Sequence, residues 1–347
     1  MNKYTLTVRE VQPAGADSIL IVFENTPTPI PYRSGQFLTL VMRLAGQEIR
    51  RSYSLCSAPN VDSHMAVSVK RVEGGLMSNL LNDSLQAGDT LEVLGPTGTF
   101  TPDIQPDTAL HFVFWAAGSG ITPLMSMLKS ILTQAPASRI TLVYQNRYWD
   151  NIIFREELAE WQARYPKRLQ VLHCLSQPYE AWEGYRGRLN ADMIGEIQGQ
   201  IPQGLPQSHW LCGPEEMMDC IGDTLQTLNI APAQIHRESF YSSKSTEVPS
   251  EVAEGLKERQ VEVHYDGAVY TFPVAPQQTI LDAAMAKDID LPYSCQSGLC
   301  TACLGRCTSG EVKMTEDDCL TDQEMRDGYV LTCVAHPLSE GVVIYID

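Results

Sequence analysis

Four cysteines near the C-terminus have a spacing that few folds can accommodate. Cys295, Cys300 and Cys303 form a C-x4-C-x2-C group, and Cys333 follows after 29 further residues. Three thiolates on one short loop and a fourth from a distant segment can enclose a small inorganic cluster, and this is a known 2Fe–2S spacing. Gly298 allows backbone N–H groups to turn toward the cluster sulfides. The spacing therefore predicts a 2Fe–2S site with these four cysteines as ligands.

A structural zinc site with four thiolates is the alternative. Zinc sites commonly combine two C-x2-C pairs, and here only Cys300 and Cys303 form such a pair. The spacing thus favours iron. Cys307 and Cys319 have no place in the pattern, and we expect them to be buried, inert thiols.

The net charge and the hydropathy of the chain argue against some classes of function. The 347 residues carry a net charge of −17, which argues against nucleic acid as a partner, and the length predicts two to three domains. The longest apolar run, 109–117, is well short of the ~20 residues that cross a membrane. The first residues lack the apolar core of a secretory signal. We therefore expect a cytoplasmic protein without a membrane partner, in which disulfides are rare.

The last 89 residues have the local signals of a small α+β domain. Val261–Phe272 reads as two strands joined at Asp266-Gly267, and Thr279 is a candidate N-cap for a helix that ends at Ala286. With the cysteines and Gly328–Leu331, residues 259–347 resemble plant-type ferredoxins, which implies a β-grasp domain. This segment holds 14 acidic and 5 basic side chains. Such a surplus can steer a basic partner or serve solubility.

Residues 241–258 are polar, poor in large apolar side chains, and contain Ser, Pro and Gly. The segment is predicted to be an exposed linker before the ferredoxin-like domain. It would let two redox domains dock and separate, or act as a simple spacer.

Residues 1–103 predict an antiparallel β-barrel, because short β-rich segments alternate with Pro and Gly. The candidate strands are Tyr4–Val11, Ser18–Glu24, Gln36–Arg43 and Met65–Val72. Two short motifs lie in this region, Arg51-Ser52-Tyr53-Ser54 and Gly75-Leu76-Met77-Ser78. Taken alone, Tyr53 could be a barrel-core aromatic and Arg51 a surface charge.

Residues 104–240 predict a parallel sheet covered by helices. Leu110–Trp115 is nearly all apolar, as in a strand buried on both faces, and leads into Gly118–Pro123 and an amphipathic stretch at Leu124–Leu132. A strand, a glycine turn and a helix in this order let backbone N–H groups approach a pyrophosphate. Further strand and helix candidates are Ile140–Tyr144, Leu169–Cys174, His209–Cys212 and Glu215–Leu228.

These motifs together resemble the ferredoxin–NADP reductase family, in which R-x-Y-[ST] and G-x-x-[ST] hold a flavin. The resemblance implies that Arg51 pairs with the flavin phosphate and Gly75 and Ser78 open a helix toward the pyrophosphate. The resemblance also implies four catalytic residues. Tyr53 would pack on the flavin ring, and Ser54 would hydrogen-bond near its hydride-accepting nitrogen. Cys212 would lie beside the nicotinamide, and Phe240 would cover the flavin until nicotinamide displaces it. The simpler alternatives are a core cysteine at 212 and a packing role for Phe240.

The resemblance also implies a larger set of cofactor contacts. They are Arg51, Ser52, Tyr53, Ser54, Val69, Lys70, Gly75, Met77, Ser78, Gly118, Gly120, Thr122, Pro123, Arg147, Gly213, Pro214, Glu238 and Phe240.

The choice between NADH and NADPH depends on the residues after the strand Ile140–Tyr144. Arg147 could bind a ribose 2′-phosphate, whereas Asp150 could accept from a free 2′-hydroxyl. The sequence leaves both cofactors open.

The three modules in this order resemble oxygenase reductases, above all those of phenylacetyl-CoA epoxidase and of 3-ketosteroid hydroxylases. The resemblance implies electron flow from NAD(P)H through FAD, rather than FMN, and a 2Fe–2S cluster to an oxygenase component. Two alternatives remain. One is a reductase for another metalloprotein, such as a hybrid-cluster protein, and the other is a non-catalytic redox sensor or electron-transfer subunit.

Overall fold

A computed structural model describes residues 2–44, 47–202, 204–240, 257–293, 296, 298, 300–315, 320 and 322–346. The chain divides into two compact units, with the boundary after Phe240. Most of the predicted linker, 241–256, lies outside the described residues, as do Cys295 and Cys319. None of the described helices is both long enough and apolar enough to cross a membrane.

The first unit begins with an antiparallel sheet of six strands, in the order β4-β3-β6-β1-β2-β5. A single bridge between Leu55 and Val67 joins its two ends, so the sheet closes into the expected barrel. Leu6, Ile21 and Leu38 are fully buried in its interior. The elements are β1 Lys3–Pro13, β2 Ser18–Phe23, β3 Phe37–Leu44, β4 Gln47–Ser54, β5 Ala66–Lys70, α1 Leu76–Ser84 and β6 Thr90–Thr97.

The same unit continues into a parallel sheet with the order β10-β9-β8-β7-β11-β12. All seven residues of the central strand β7 are buried, because helices cover both faces of the sheet. The fold confirms the predicted α/β architecture. Its elements are β7 His111–Ala117, α2 Ile121–Gln134, β8 Arg139–Asn146, α3 Arg155–Arg164, β9 Leu169–Leu175, β10 Tyr185–Arg186, α4 Ala191–Gln200, β11 Gln207–Cys212, α5 Glu215–Thr227 and β12 Ile235–Glu238.

Helix α2 contains the predicted amphipathic stretch, but its polar stripe is buried. Every residue from Ile121 to Leu132 is buried, including the polar side chains of Ser126, Lys129 and Ser130. The loop after β4 and helix α3 supply hydrogen-bond and ion-pair partners for Ser126 and Lys129. A polar face at helical spacing does not therefore mark a solvent-facing surface here.

The second unit has the β-grasp topology, with the order β14-β13-β19-β15-β17 in its main sheet. The hairpin turns at Asp266 and Gly267, both at positive φ, and the Thr279 hydroxyl accepts from Asp282 N at 3.1 Å, which confirms the predicted turn and N-cap. Cys307 is only half-buried, contrary to expectation. The elements are β13 Arg259–Tyr265, β14 Ala268–Val274, α6 Ile280–Met285, β15 Leu304–Ser309, β16 Val312–Met314, α7 Asp322–Arg326, β17 Tyr329–Leu331, β18 Ala335–Pro337 and β19 Val342–Ile346.

Buried histidines make the parallel sheet sensitive to acid. His209 accepts a hydrogen bond from Trp115 Nε1 at 3.2 Å through Nδ1, which requires that nitrogen to be unprotonated. Burial, and then His111 and His236 nearby, lower the pKa of His209 to about 4. An unfolded histidine takes up a proton near pH 6.5, whereas the folded one resists it, so stability falls as the pH decreases below about 6.5.

We expect this one group to lower the free energy of unfolding by about 2 kcal/mol between about pH 7.5 and about pH 5. All five tryptophans lie between residues 115 and 210, so tryptophan fluorescence during urea unfolding reports on this sheet. His209→Asn should flatten the pH dependence by that amount, and His264→Asn in the other unit should leave it unchanged. An equal pH dependence in wild type and His209→Asn would contradict the assignment.

Candidate cofactor and electron-transfer site

Strand β4 carries the first motif at the mouth of the barrel. Alternation along the strand places Arg51, which is exposed, and Tyr53, which is partly buried, on one face. Burial raises the pKa of Tyr53 to about 12, and the nearby Arg51 charge opposes that rise. Ser54 ends the strand, and its buried hydroxyl has no hydrogen-bond partner among the described residues.

A buried carboxyl lies beside that hydroxyl. Glu238 ends β12, and burial raises its pKa to about 8, while the Ser54 hydroxyl nearby opposes the rise without reaching the geometry of a formed hydrogen bond. Burial, and then the Glu238 charge, raise the pKa of Cys212, so its thiol stays protonated. Three polar groups at the ends of β4, β11 and β12 thus lie close together, and the carboxyl is neutral at pH 7.

The glycine turn after β7 lies directly against the end of β11. A Cβ at Gly120 would be 2.0 Å from the carbonyl oxygen of Cys212, and one at Gly213 would be 3.0 Å from Ala117 Cβ. Gly118 has a φ of +52°. These contacts leave room only for glycine, so the turn and the Cys212-Gly213-Pro214 segment form one backbone cradle.

The cradle contacts Tyr144, which the sequence did not single out, and lies beside Lys70, which the resemblance lists among the cofactor contacts. The Tyr144 hydroxyl donates to the Gly118 carbonyl at 2.8 Å. The Lys70 ammonium pairs with Asp17 at 3.5 Å and lies 3.4 Å from a Cβ placed on Gly118. Tyr144 is read from sequence as an ordinary strand residue, and no local pattern distinguishes its role.

The remaining predicted cofactor contacts differ in how far their side chains are exposed. Val69 and Met77 are buried in the barrel core, so only their backbone atoms can reach a cofactor. Gly75 precedes α1, whose N-terminus has no side-chain cap, and Ser78 accepts from Val72 N at 3.2 Å. Thr122 and Pro123 are buried in the first turn of α2, where the Thr122 hydroxyl donates to the Ser119 carbonyl at 2.9 Å. Phe240 is 41% exposed.

The residues predicted to contact the adenosine ribose come directly after β8. Arg147 is exposed there, and its carbonyl accepts from Gln177 N at 2.9 Å, which joins the ends of β8 and β9. The Asp150 carboxylate is 3.4 Å from Arg155 Nη1, and Arg155 also contacts Glu156.

Three of the four predicted cluster ligands lie in the described part of the second unit. The Sγ atoms of Cys303 and Cys333 are 3.2 Å apart and buried, and Cys300 lies in the same loop, half-buried. Gly298 has a φ of +75°, and its N–H points to Cys333 Sγ at 3.4 Å. Cys295, the fourth predicted ligand, falls outside the described residues.

The donor sets fit the implied cofactors. The unpartnered Ser54 hydroxyl and Glu238 Oε2 are polar atoms that the edge of a flavin ring would satisfy, and the glycine cradle offers backbone N–H groups to a pyrophosphate. Clustered thiols with an inward-pointing N–H suit an iron–sulfur cluster.

Comparisons with known proteins agree with all three modules. The chain matches the oxidoreductase FAD-binding domain over residues 6–101, the oxidoreductase NAD-binding domain over 114–223 and the 2Fe-2S iron-sulfur cluster binding domain over 263–338.

Relatives align with this chain along nearly its whole length. The chain is 37% identical to the ferredoxin reductase component of 3-ketosteroid-9-alpha-monooxygenase from Rhodococcus rhodochrous, over 98% of this chain and 95% of that protein. It is 34% identical to one of the subunits of 1,2-phenylacetyl-CoA epoxidase from Escherichia coli K12, over 99% and 98%. The solved structure of phthalate dioxygenase reductase has the same fold, with a TM-score of 0.61 and 24% identity over 99% and 98% of the two chains. The chain therefore belongs to the family of NAD(P)H-dependent oxygenase reductases that combine an FAD-binding, an NAD-binding and a 2Fe–2S domain in one polypeptide.

Proposed function

We propose that this chain oxidises NADPH at the junction of β4, β7 and β11 and passes electrons singly, through a cluster held by Cys295, Cys300, Cys303 and Cys333, to an iron oxygenase component. The observation that carries the proposal is the cradle at Gly120 and Cys212, because it brings the nucleotide motif next to the Ser54 and Glu238 groups of the flavin motif. When bound, FAD accepts two electrons from the nicotinamide and yields them one at a time to the 2Fe–2S cluster.

The side chains at the junction orient rings and exclude water rather than cleave bonds. Tyr53 would pack along one face of a bound flavin, and Phe240, the last residue of the first unit, would cover the face that nicotinamide must reach. Glu238 is neutral at pH 7, so it can donate a hydrogen bond to the ring edge, as Ser54 can. Little proton transfer by side chains is needed, so placement of the two rings sets the rate.

The pyrophosphate groups are assigned to two helix starts. Gly118, Gly120 and the first turn of α2 face the nicotinamide dinucleotide, and Arg51 with the start of α1 faces the flavin dinucleotide. The N-terminus of α1 lacks a side-chain cap, so its backbone N–H groups can bind an anion. At α2 the Ile121 N–H is bonded to the carbonyls of Gly118 and Ser119 and Pro123 has no N–H, so the contact with the pyrophosphate is assigned to the glycine turn before the helix. Lys70, beside Gly118, adds a positive charge at this point.

We propose NADPH as the cofactor because Arg147 and Asp150, the two candidates to contact the ribose 2′-position, differ in their surroundings. Both side chains are exposed, but Asp150 is within ion-pair distance of Arg155, whereas Arg147 makes no ion pair among the described residues. An exposed guanidinium at this strand end suits a 2′-phosphate.

The acceptor is proposed to be an oxygenase, because the two relatives named above are a reductase component of a steroid monooxygenase and a subunit of a phenylacetyl-CoA epoxidase. The two names record different substrates, and an electron-transfer role is what a chain with these three modules can contribute to both. We also propose a cytoplasmic location, since no two of the eight described cysteines are joined by a disulfide.

The first test separates the flavin from the cluster. Cys300→Ser should keep NADPH-to-ferricyanide activity within about twofold and lower cytochrome c reduction at least about twentyfold, because only the second acceptor depends on the cluster. Cys307→Ser is the matched control, a nearby cysteine outside the ligand set, and should retain both activities. Equal loss of both activities in a folded Cys300→Ser protein would contradict the proposed order of electron transfer.

The second test concerns nucleotide choice. Arg147→Ala should lower kcat/KM for NADPH about 10- to 100-fold and leave that for NADH within about twofold, because a charge-assisted contact to a phosphate is lost. Asp150→Asn should leave the NADPH-to-NADH ratio within about twofold. A wild-type preference for NADH, or an unchanged NADPH-to-NADH ratio of kcat/KM in Arg147→Ala, would show that other residues recognise the ribose 2′-position.

The third test follows the Glu238 carboxyl. Its pKa near 8 lies above that of an unfolded glutamate, so ionisation should appear as the pH rises through about 8, in the absorption spectrum of the bound flavin and in the rate of its reduction. Glu238→Gln should remove this transition, whereas the exposed Glu180→Gln should keep it. Persistence of the same transition in Glu238→Gln would assign it to another group.

A further inference from the structure

Lys129 is a buried cation that the electron-transfer scheme leaves unused. It lies on α2 and is 6% exposed. Its Nζ is 3.2 Å from Asp62 Oδ2 and 2.7 Å from Glu157 Oε1. Burial alone would lower the pKa of the ammonium, but the two carboxylates outweigh burial and raise it. The side chain therefore remains charged and paired.

The two carboxylates come from different parts of the first unit. Asp62 belongs to the loop between β4 and β5 of the barrel, and Glu157 belongs to α3 beside the parallel sheet. Asp62 Oδ2 also accepts from Ala58 N at 2.7 Å, so the barrel loop is folded around this carboxylate. One turn earlier on α2, the Ser126 hydroxyl donates to the Ser57 carbonyl at 2.5 Å. The barrel and the nucleotide-binding sheet are thus joined by a charged contact and a hydrogen bond on one helix face.

Both sides of this contact lie close in sequence to the proposed cofactor-binding segments. Helix α2 begins immediately after the glycine turn, and Lys129 lies nine residues after Gly120. The barrel loop begins immediately after Ser54, with Ser57 three residues later. The Ser57 hydroxyl is 2.9 Å from the Tyr32 hydroxyl and accepts from Ala66 N at 3.0 Å, so the loop is anchored to the barrel as well.

We propose that Lys129 is a positioning residue for hydride transfer, whose contact with Asp62 fixes the orientation of the flavin barrel relative to the nucleotide-binding sheet. This inference rests on the proposed placement of FAD and NADPH. A change in this orientation would displace the nicotinamide from the flavin without removing any group that touches either ring. Displacements of about 1 Å are enough to slow a reaction by about 100-fold.

The test uses the full-length holoprotein and rapid mixing with NADPH under argon. It records the limiting rate of flavin reduction, the apparent dissociation constant of NADPH and the long-wavelength charge-transfer absorbance, which depends on stacking of nicotinamide on flavin. Lys129→Met should lower the limiting rate at least about tenfold and weaken the charge-transfer absorbance, with a change of less than about threefold in the dissociation constant. Lys129→Arg should restore most of the rate. The exposed Lys167→Met is the control.

Two milder variants separate positioning from simple stability, and they keep the test decisive if Lys129→Met fails to fold. Asp62→Asn weakens the link to the barrel, and Glu157→Gln weakens only the link within the nucleotide-binding half. The inference requires a slower limiting rate and a weaker charge-transfer band in Asp62→Asn, and a rate within about twofold of wild type in Glu157→Gln. Equal effects on the rate, or a lower thermal midpoint with unchanged rate and band in both, would overturn it. A wild-type flavin that neither NADPH nor NADH reduces would instead disprove the proposed function.

Discussion

The contact between Gly120 and the Cys212 carbonyl constrains the whole reductase unit. β7 and β11 are adjacent parallel strands, so their carboxyl ends meet at one edge of the sheet. At that edge the chain leaves β7 through a turn so close to β11 that a Cβ would overlap the Cys212 carbonyl oxygen. The proposed pyrophosphate site at this turn requires both segments to keep this approach. Tyr144 and the first turn of α2 support the same backbone from the other side.

Two buried ionisable groups in this unit compensate for the loss of water in different ways, one as a charged group and one as a neutral group. Lys129 is paired with two carboxylates and stays charged, so removal of its ammonium would leave both carboxylates without their counter-charge. Glu238 has no described cation beside it, and burial raises its pKa until the neutral form dominates at pH 7. The first solution suits a fixed structural contact between two halves of the unit. The second suits a site where a polar cofactor edge supplies the missing hydrogen bonds.

Local chemistry explains which features the sequence predicts. The hairpin at Asp266-Gly267, the N-cap at Thr279 and the buried strand before Gly118 depend on neighbouring residues, and each is present in the structure. Domain matches confirm the three cofactor modules, which short motifs indicate. Helices α3 and α4 lack a motif and are not predicted. The burial of the polar stripe of α2 is not predictable from the local sequence, because its partners, Asp62 and Glu157, are distant in sequence and meet it only in the folded chain.

The acceptor is the least predictable feature, for a physical reason. The steps from nicotinamide to cluster depend on buried backbone contacts such as Gly120 with Cys212 and on the buried pair Cys303 and Cys333. Relatives at 37% and 34% identity can share these contacts while their names record different oxygenases. Partner choice is then set by exposed side chains around the cluster, where substitution costs little folding stability. In this chain residues 259–347 have nine more acidic than basic side chains, so we expect the proposed acceptor to present a complementary basic face and to bind more weakly as the ionic strength rises.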